Sequence, residues 1–165
     1  MIWKPNVTVA AVLEQDGKFL LVEEQTTQGI LFNQPAGHWE PDETLAAGTA
    51  REVMEESAYE FEPQHLVGIY RWHIPKAGNP LSAKADVELT PPASDTTYLR
   101  FAFGGSVLAH HPERALDDGI IRAVWMTPDE IRATRERHRS PLVLRCVEDY
   151  LAGKRYPLEI ITHYD

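Results

Sequence analysis

The chain is expected to be a mixed α/β protein, on three observations. β-rich runs recur along it, an acidic helix pattern spans Ala46 to Ser57, and two capped helix patterns follow the last strand run. Asn6 to Gln15 and Lys18 to Gln25 flank Asp16-Gly17, a strong two-residue hairpin signal. Leu31 to Asn33 reads as a third strand, ended by the turn-prone stretch Gln34-Pro35-Ala36-Gly37. His65 to His73, rich in Val, Ile, Tyr and Trp, and Thr97 to Ala109 continue the strands. Between them Pro75 to Ser94 is rich in Pro and Ala and reads as a long surface loop, functional or poorly ordered at that length. Ile120 to Met126 is a last strand. Pro128 to Arg135 follows as a helix, with Thr127 at the N-cap and proline at the first helical position. A C-terminal helix is expected over Pro141 to Ala152, capped by Ser140 and stopped by Gly153. Periodicity leaves the strand order open.

Composition fits one compact domain over 1–165, with a core of about 5–135 and a C-terminal helix and tail of about 139–165. At 165 residues, 43% hydrophobic and 25% charged, the chain has apolar content enough for a real core. The formal net charge of -9 argues against a nucleic-acid partner, because the 16 Lys and Arg are scattered rather than clustered. Small anionic substrates stay open if a cation bridges the two sets of negative charge. No apolar run is long enough for a membrane span, and Val7 to Leu13 lacks a cleavage site, so neither membrane nor secretion is expected. Cys146 is the single cysteine, which suits a reducing cytoplasm and reads as a buried, inert thiol. A monomer is expected, with oligomers left open.

The chemistry is concentrated in Gly37 to Tyr59. On a helix turning about 100° per residue, Glu52, Glu55 and Glu56 share an arc of roughly 100°. Ala46, Ala50, Val53, Met54 and Ser57 take the opposite face. Three clustered carboxylates cost energy unless a positive charge neutralises them, and Mg²⁺ is the expected cation, with Mn²⁺ as the alternative. The competing reading of these glutamates alone is the solvated face of an amphipathic helix. The preceding loop favours the metal reading. Gly37 lets backbone carbonyls approach a ligand, and Glu43 stands where it can pair with Arg51 and anchor the loop to the helix.

This segment resembles the signature of the Nudix hydrolase family, G-x5-E-x7-R-E-U-x-E-E-x-G-U with U aliphatic. Gly37, Glu43, Arg51, Glu52, Val53, Glu55 and Glu56 match in register, whereas Ala58 replaces the last glycine and Tyr59 the last aliphatic residue. A left-handed conformation at Ala58 would cost on the order of 1 kcal/mol without removing a ligand. VTVAAVL, GKFLLVEE, NQPAGHWEPDETL, YLRFAF and YPLE resemble one phosphatase of the family, over most of the chain except about 76–93. The resemblance implies an α/β/α sandwich with a mixed sheet. It also implies metal-dependent release of phosphate from nucleoside tri- and diphosphates and from hydroxymethylpyrimidine pyrophosphate.

On that resemblance Glu52, Glu55 and Glu56, with a carbonyl of Ala36 or Gly37, are the expected metal ligands. Glu52 is also the candidate base, and Arg51 with Glu43 orients the ligands. The base varies within the family, and Asp117 or Asp118 is the candidate for an added carboxylate, against an equal reading as turn residues beside Gly119. Phe32, Trp39, Tyr70 and Trp72 could stack on a ring, although core packing is favoured for Tyr70 and Trp72. Asn33 and Gln34 could bond a ring edge, and Arg71, His73 and Arg100 could meet phosphates. His110 and His111 read as a surface turn. The alternatives are hydrolysis of ADP-ribose, a dinucleoside polyphosphate or an oxidised nucleotide, or a non-catalytic nucleotide sensor. A sensor is expected to have lost some carboxylates, and all are present.

Overall fold

The computed structural model describes residues 2–76 and 94–164. In chain order it contains β1 (Asn6–Val12), β2 (Glu14–Gln15), β3 (Lys18–Thr26), β4 (Gly29–Asn33), β5 (Ala36–His38), α1 (Leu45–Ser57), β6 (Tyr59–Ile74), β7 (Thr96–His110), β8 (Ile120–Met126), α2 (Pro128–Ala133), α3 (Leu142–Leu151) and β9 (Tyr156–Pro157). The strands divide between two sheets. One runs β5-β1-β7-β6-β9 and is mixed, since β1 is parallel to β7 and antiparallel to β5. In the other, β3 pairs antiparallel with β2, β4 and β8.

Alternation along β1 makes the three layers. Val9, Ala11 and Leu13 pack with Leu45 and Val53 of α1, whereas Ala10 and Val12 pack with Val143, Cys146 and Val147 of α3. Strand β3 does the same, sending Leu20 to the first core and Phe19 and Leu21 to the second. The result is the expected α/β class with helices on both faces. Cys146 is fully buried, and burial pushes its thiol up to about 11, which matches the inert reading.

Local chemistry accounts for the boundaries. Asp16 (φ 52) and Gly17 (φ 77) turn the expected hairpin, and Leu13 interrupts the first run between β1 and β2. α1 begins where the Thr44 hydroxyl accepts the Ala47 N–H at 3.1 Å. It ends at Ala58 (φ 58, ψ 20), whose N–H returns to the Met54 carbonyl, so the residue replacing the signature glycine is indeed left-handed. β6 starts at Tyr59 rather than His65. Its register slips between Tyr59 and Phe61, Pro63 and His65, and Leu66 and Gly68, and these bulges erase the period of two on which the sequence reading relied. α2 stops at Ala133 and tightens into a 3₁₀ turn over Arg135–Arg137, two residues short of the expected end. Its capping box, Thr127 with Glu130, is as expected. For α3 the cap position falls on Pro141, and Ser140 only accepts the Leu142 N–H at 3.2 Å. The Pro-rich stretch over 77–93 lies outside the described residues. No helix among the described residues is long and apolar enough to cross a membrane.

Two stability tests follow from these contacts. Ala58→Gly should relieve the left-handed strain and raise stability by up to about 1 kcal/mol, read by calorimetry, after glycine's own entropy cost is set against the gain. The second concerns Glu23, buried on β3. Its carboxylate takes the guanidinium of Arg122 and, at 3.0 Å, that of Arg137, which together hold it below the usual carboxylate range. A depressed folded pKa adds stability above the ordinary value near 4.3, and that stability is lost as pH falls through the folded value. Glu23→Gln should therefore lower Tm by about 2–4 °C at pH 7, with the difference from wild type shrinking below about pH 4.

Candidate functional site

Arg51, in the second turn of α1, organises the signature region. Its Nε–H and Nη2–H donate to the two oxygens of Glu43 at 3.0 and 2.8 Å, a fork-to-fork pair, and Nη2 also donates to the His38 carbonyl at 3.1 Å. Nη1 donates to Glu52 Oε1 at 2.7 Å and to Glu55 Oε2 at 3.0 Å. The expected Glu43–Arg51 anchor is therefore present, and the same guanidinium also holds two of the glutamates. Arg51 keeps the Glu43 carboxyl below its usual range, and Glu43 in turn pushes the Arg51 pKa up. Trp39 belongs to this loop, its Nε1–H donating to the Glu43 carbonyl at 2.9 Å, while the residue is 41% exposed.

Glu52 and Glu56 are buried, at 7% and 8% exposure, which the helical wheel did not anticipate. Their arc faces the loop and β5 instead of solvent. Ala36 and Gly37, read as a turn, form the start of β5, and the Ala36 N–H donates to Glu56 Oε2 at 2.9 Å. A Cβ built on Gly37 would overlap the Glu52 carboxylate, so at this position glycine is required for close approach rather than for an unusual φ. Burial raises the Glu52 pKa against the pull of Arg51. Burial also pushes Glu56 up to about 8, helped by the charges of Glu24, Glu52 and Asp117 and opposed by the Ala36 N–H.

Asp117 reaches the cluster by another route. Its backbone N–H donates to the Glu55 carbonyl at 3.0 Å, which docks the loop before β8 on the end of α1. Asp118 lines a cleft of about 480 Å³ between the two sheets, and Glu56, Ala36 and Gly37 line the same cleft. Among the described residues, no three His, Cys, Asp or Glu side chains form a ready-made ligand cage. The donor set nevertheless fits a hard divalent cation. It is all oxygen, it gathers like charges in a buried place, and burial disfavours the charge of Glu52 and Glu56 until a cation offsets it.

The other sequence candidates separate in space. Asn33 and Arg100 line the cleft, and Gln34 lies behind them, its Oε1 accepting from Arg100 at 3.3 Å. Phe32 lies in the core beneath the Arg137 guanidinium, and Arg71 is exposed on β6, so neither lines the cleft. Tyr70 packs on the α3-side core and donates to Asp149 Oδ2 at 3.0 Å, while Trp72 also lines the cleft. His73 bonds the Thr97 hydroxyl. His110 ends β7 stacked on Tyr59 rather than lying in a turn, and His111 meets Glu60 at 2.7 Å. Sequence reasoning missed Thr8, Glu24 and Tyr98, all at the cleft. Strand register alone brings them there, and no local motif marks them.

A family model described as NUDIX domain matches residues 3–146. The chain belongs to the Nudix hydrolase family. Among its Nudix relatives is phosphatase NudJ of Escherichia coli strain K12, 37% identical over 164 residues, covering 99% of this chain and 95% of the relative. A solved NUDIX hydrolase from Nitrosomonas europaea is 51% identical, covers 98% of both chains and superposes with a TM-score of 0.83. The MutT protein of Methanosarcina mazei Go1, 22% identical with a TM-score of 0.65, covers 94% of this chain and 100% of its own and shares the fold. The chain is thus a hydrolase of phosphorus-containing anhydrides, and Nudix hydrolases generally work with a divalent metal ion.

Gly37→Ala tests the packing of this site. The added methyl should displace the flexible Glu52 side chain and lower turnover by about 10–100-fold, as loss of ligand orientation does elsewhere. Tm should change little, because the clash is with the end of a side chain and not with backbone.

Proposed function

We propose that the protein is a Mg²⁺-dependent phosphatase, with Mn²⁺ as a substitute, acting on nucleoside tri- and diphosphates and on hydroxymethylpyrimidine pyrophosphate. The observation that carries this reading is the buried pair Glu52 and Glu56 beside Glu55, on one helix and against the backbone of Ala36. Similarity to phosphatase NudJ over 99% of the chain supports a phosphatase activity.

In this reading Glu52, Glu55 and Glu56, with Asp117 and a carbonyl of Ala36 or Gly37, hold the cation. When bound, it supplies positive charge against the phosphate oxygens and lowers the pKa of the attacking water. Glu52 accepts the proton of that water. Arg51 holds Glu52 and Glu55 in place while its fork on Glu43 keeps the loop against the helix. Asn33, Gln34 and Arg100 are proposed to serve the substrate. Phe32 packs in the core, Trp39 bonds the Glu43 carbonyl and Arg71 is exposed on β6 outside the cleft, so none is assigned a contact in this scheme. The protein is read as one cytoplasmic domain, monomeric, with small nucleotides rather than nucleic acid as partners.

The test is phosphate release with Mg²⁺ over a panel of nucleoside tri- and diphosphates, hydroxymethylpyrimidine pyrophosphate, ADP-ribose and a dinucleoside polyphosphate. Glu52→Gln should lower kcat by about 10²–10⁴-fold. Glu56→Gln should remove most turnover while Tm holds. Near-normal Mg²⁺-dependent hydrolysis by the Glu56 variant would refute the assignment.

A further inference from the structure

The floor of the cleft is the mixed sheet, on the face that carries the α3-side core. Pairing of β5, β1, β7 and β6 sets His38, Thr8, Arg100 and Tyr70 side by side in one row across it. One row deeper stand Ala36, Ala10, Ala102 and Gly68, so the polar row sits above a floor of small residues. Two members of the polar row are buried with groups left over. Thr8 and Arg100 are each 7% exposed, and neither Thr8 Oγ1 nor Arg100 Nε has a hydrogen-bond partner among the described residues. Both residues line the cleft.

Arg100 is also short of charge balance among the described residues. Its Nη1 and Nη2 reach neutral amide oxygens, Gln34 Oε1 at 3.3 Å and Asn33 Oδ1 at 3.5 Å, and its other neighbour is the neutral thiol of Cys146. Those contacts fix its direction, because Gln34 is itself locked by donating to the Val143 carbonyl of α3 at 2.7 Å. A buried donor pair without a partner carries a desolvation cost that a ligand removes by presenting an acceptor. In the next row outward Trp72 and Tyr98 pair across β6 and β7 with ring centroids 5.7 Å apart and planes within 25°, and both line the cleft. A flat wall beside two buried donors suits a flat ring that bears an oxygen acceptor.

We propose that Thr8 and Arg100 form a specificity subsite for the ring carbonyl of a substrate's base, with Trp72 and Tyr98 beside the ring. The proposal rests on the nucleotide reading above and deepens it. Uracil, thymine, guanine and cytosine nucleotides carry such an oxygen, whereas adenine nucleotides and hydroxymethylpyrimidine pyrophosphate do not. The site ranks the first group ahead of the second.

The experiment compares the wild type, Thr8→Val and Arg100→Met in two assays. In the first, KM and kcat are measured with Mg²⁺ for UTP, GTP, ATP and inorganic tripolyphosphate. In the second, UMP, GMP and AMP binding is titrated calorimetrically without turnover. Thr8→Val, which keeps the shape and removes the hydroxyl, should raise KM for UTP and GTP, and weaken UMP and GMP binding, by about tenfold. For Thr8→Val, ATP, AMP and tripolyphosphate should be unaffected, with kcat near wild type. Arg100→Met should raise KM for UTP and GTP more than for ATP, and leave KM for tripolyphosphate unchanged. Equal changes for ATP and UTP would overturn the proposal, as would a KM for tripolyphosphate that rises in step with the nucleotides and so marks Arg100 as a phosphate clamp. If the wild type hydrolyses none of the panel, the phosphatase reading falls. The monophosphate titrations still decide the subsite, since binding of UMP and GMP no tighter than AMP would refute it.

Discussion

The Arg51 guanidinium is the constraint on which the site depends. Five contacts from one side chain tie together the loop carboxylate of Glu43, the His38 carbonyl at the end of β5 and two glutamates of α1. Arginine suits this place because its planar fork meets a carboxylate with two parallel bonds and still has a nitrogen to spare, which an ammonium cannot do. Without it, Glu52 and Glu55 would repel each other on one helix face, and the loop from Trp39 to Thr44 would lose its hold on α1.

Around that cation the surroundings hold the remaining acids in a costly state. Glu56 is buried against a backbone N–H with like charges on several sides, and Glu52 is buried within contact distance of the position a Gly37 side chain would fill. Such a cluster is an unfavourable feature of the isolated chain that becomes useful when a hard cation arrives, so stability and function pull on the same residues. The surrounding fold tolerates this because two apolar clusters pack on either side of β1.

How much of this was legible in the sequence depends on the range of the contacts. The Asp16-Gly17 hairpin, the capping box at Thr127 and the Glu43–Arg51 pair all lie within a few residues to one turn or loop, and their residue types state their geometry. The depth of Glu52 and Glu56 was not legible, because a helical wheel shows which residues share a face and not what that face meets. The start of β6 was hidden by its bulges, and the placement of Phe32 under Arg137 by a contact from the far end of the chain. Thr8 gave no signal at all, since its importance arises from register with Arg100 on a parallel neighbour.

That parallel pairing also orders the assembly of the two halves of the cleft. The acidic cluster draws on β5, the following loop and α1, segments adjacent in the chain that need little loop closure. The row of Thr8 and Arg100 exists only after β1 has found β7 across most of the intervening sequence, a closure that is entropically slower. The two halves of the cleft thus differ in range, the charge trap resting on neighbouring segments and the row beneath the base on a pairing that spans more than half of the chain.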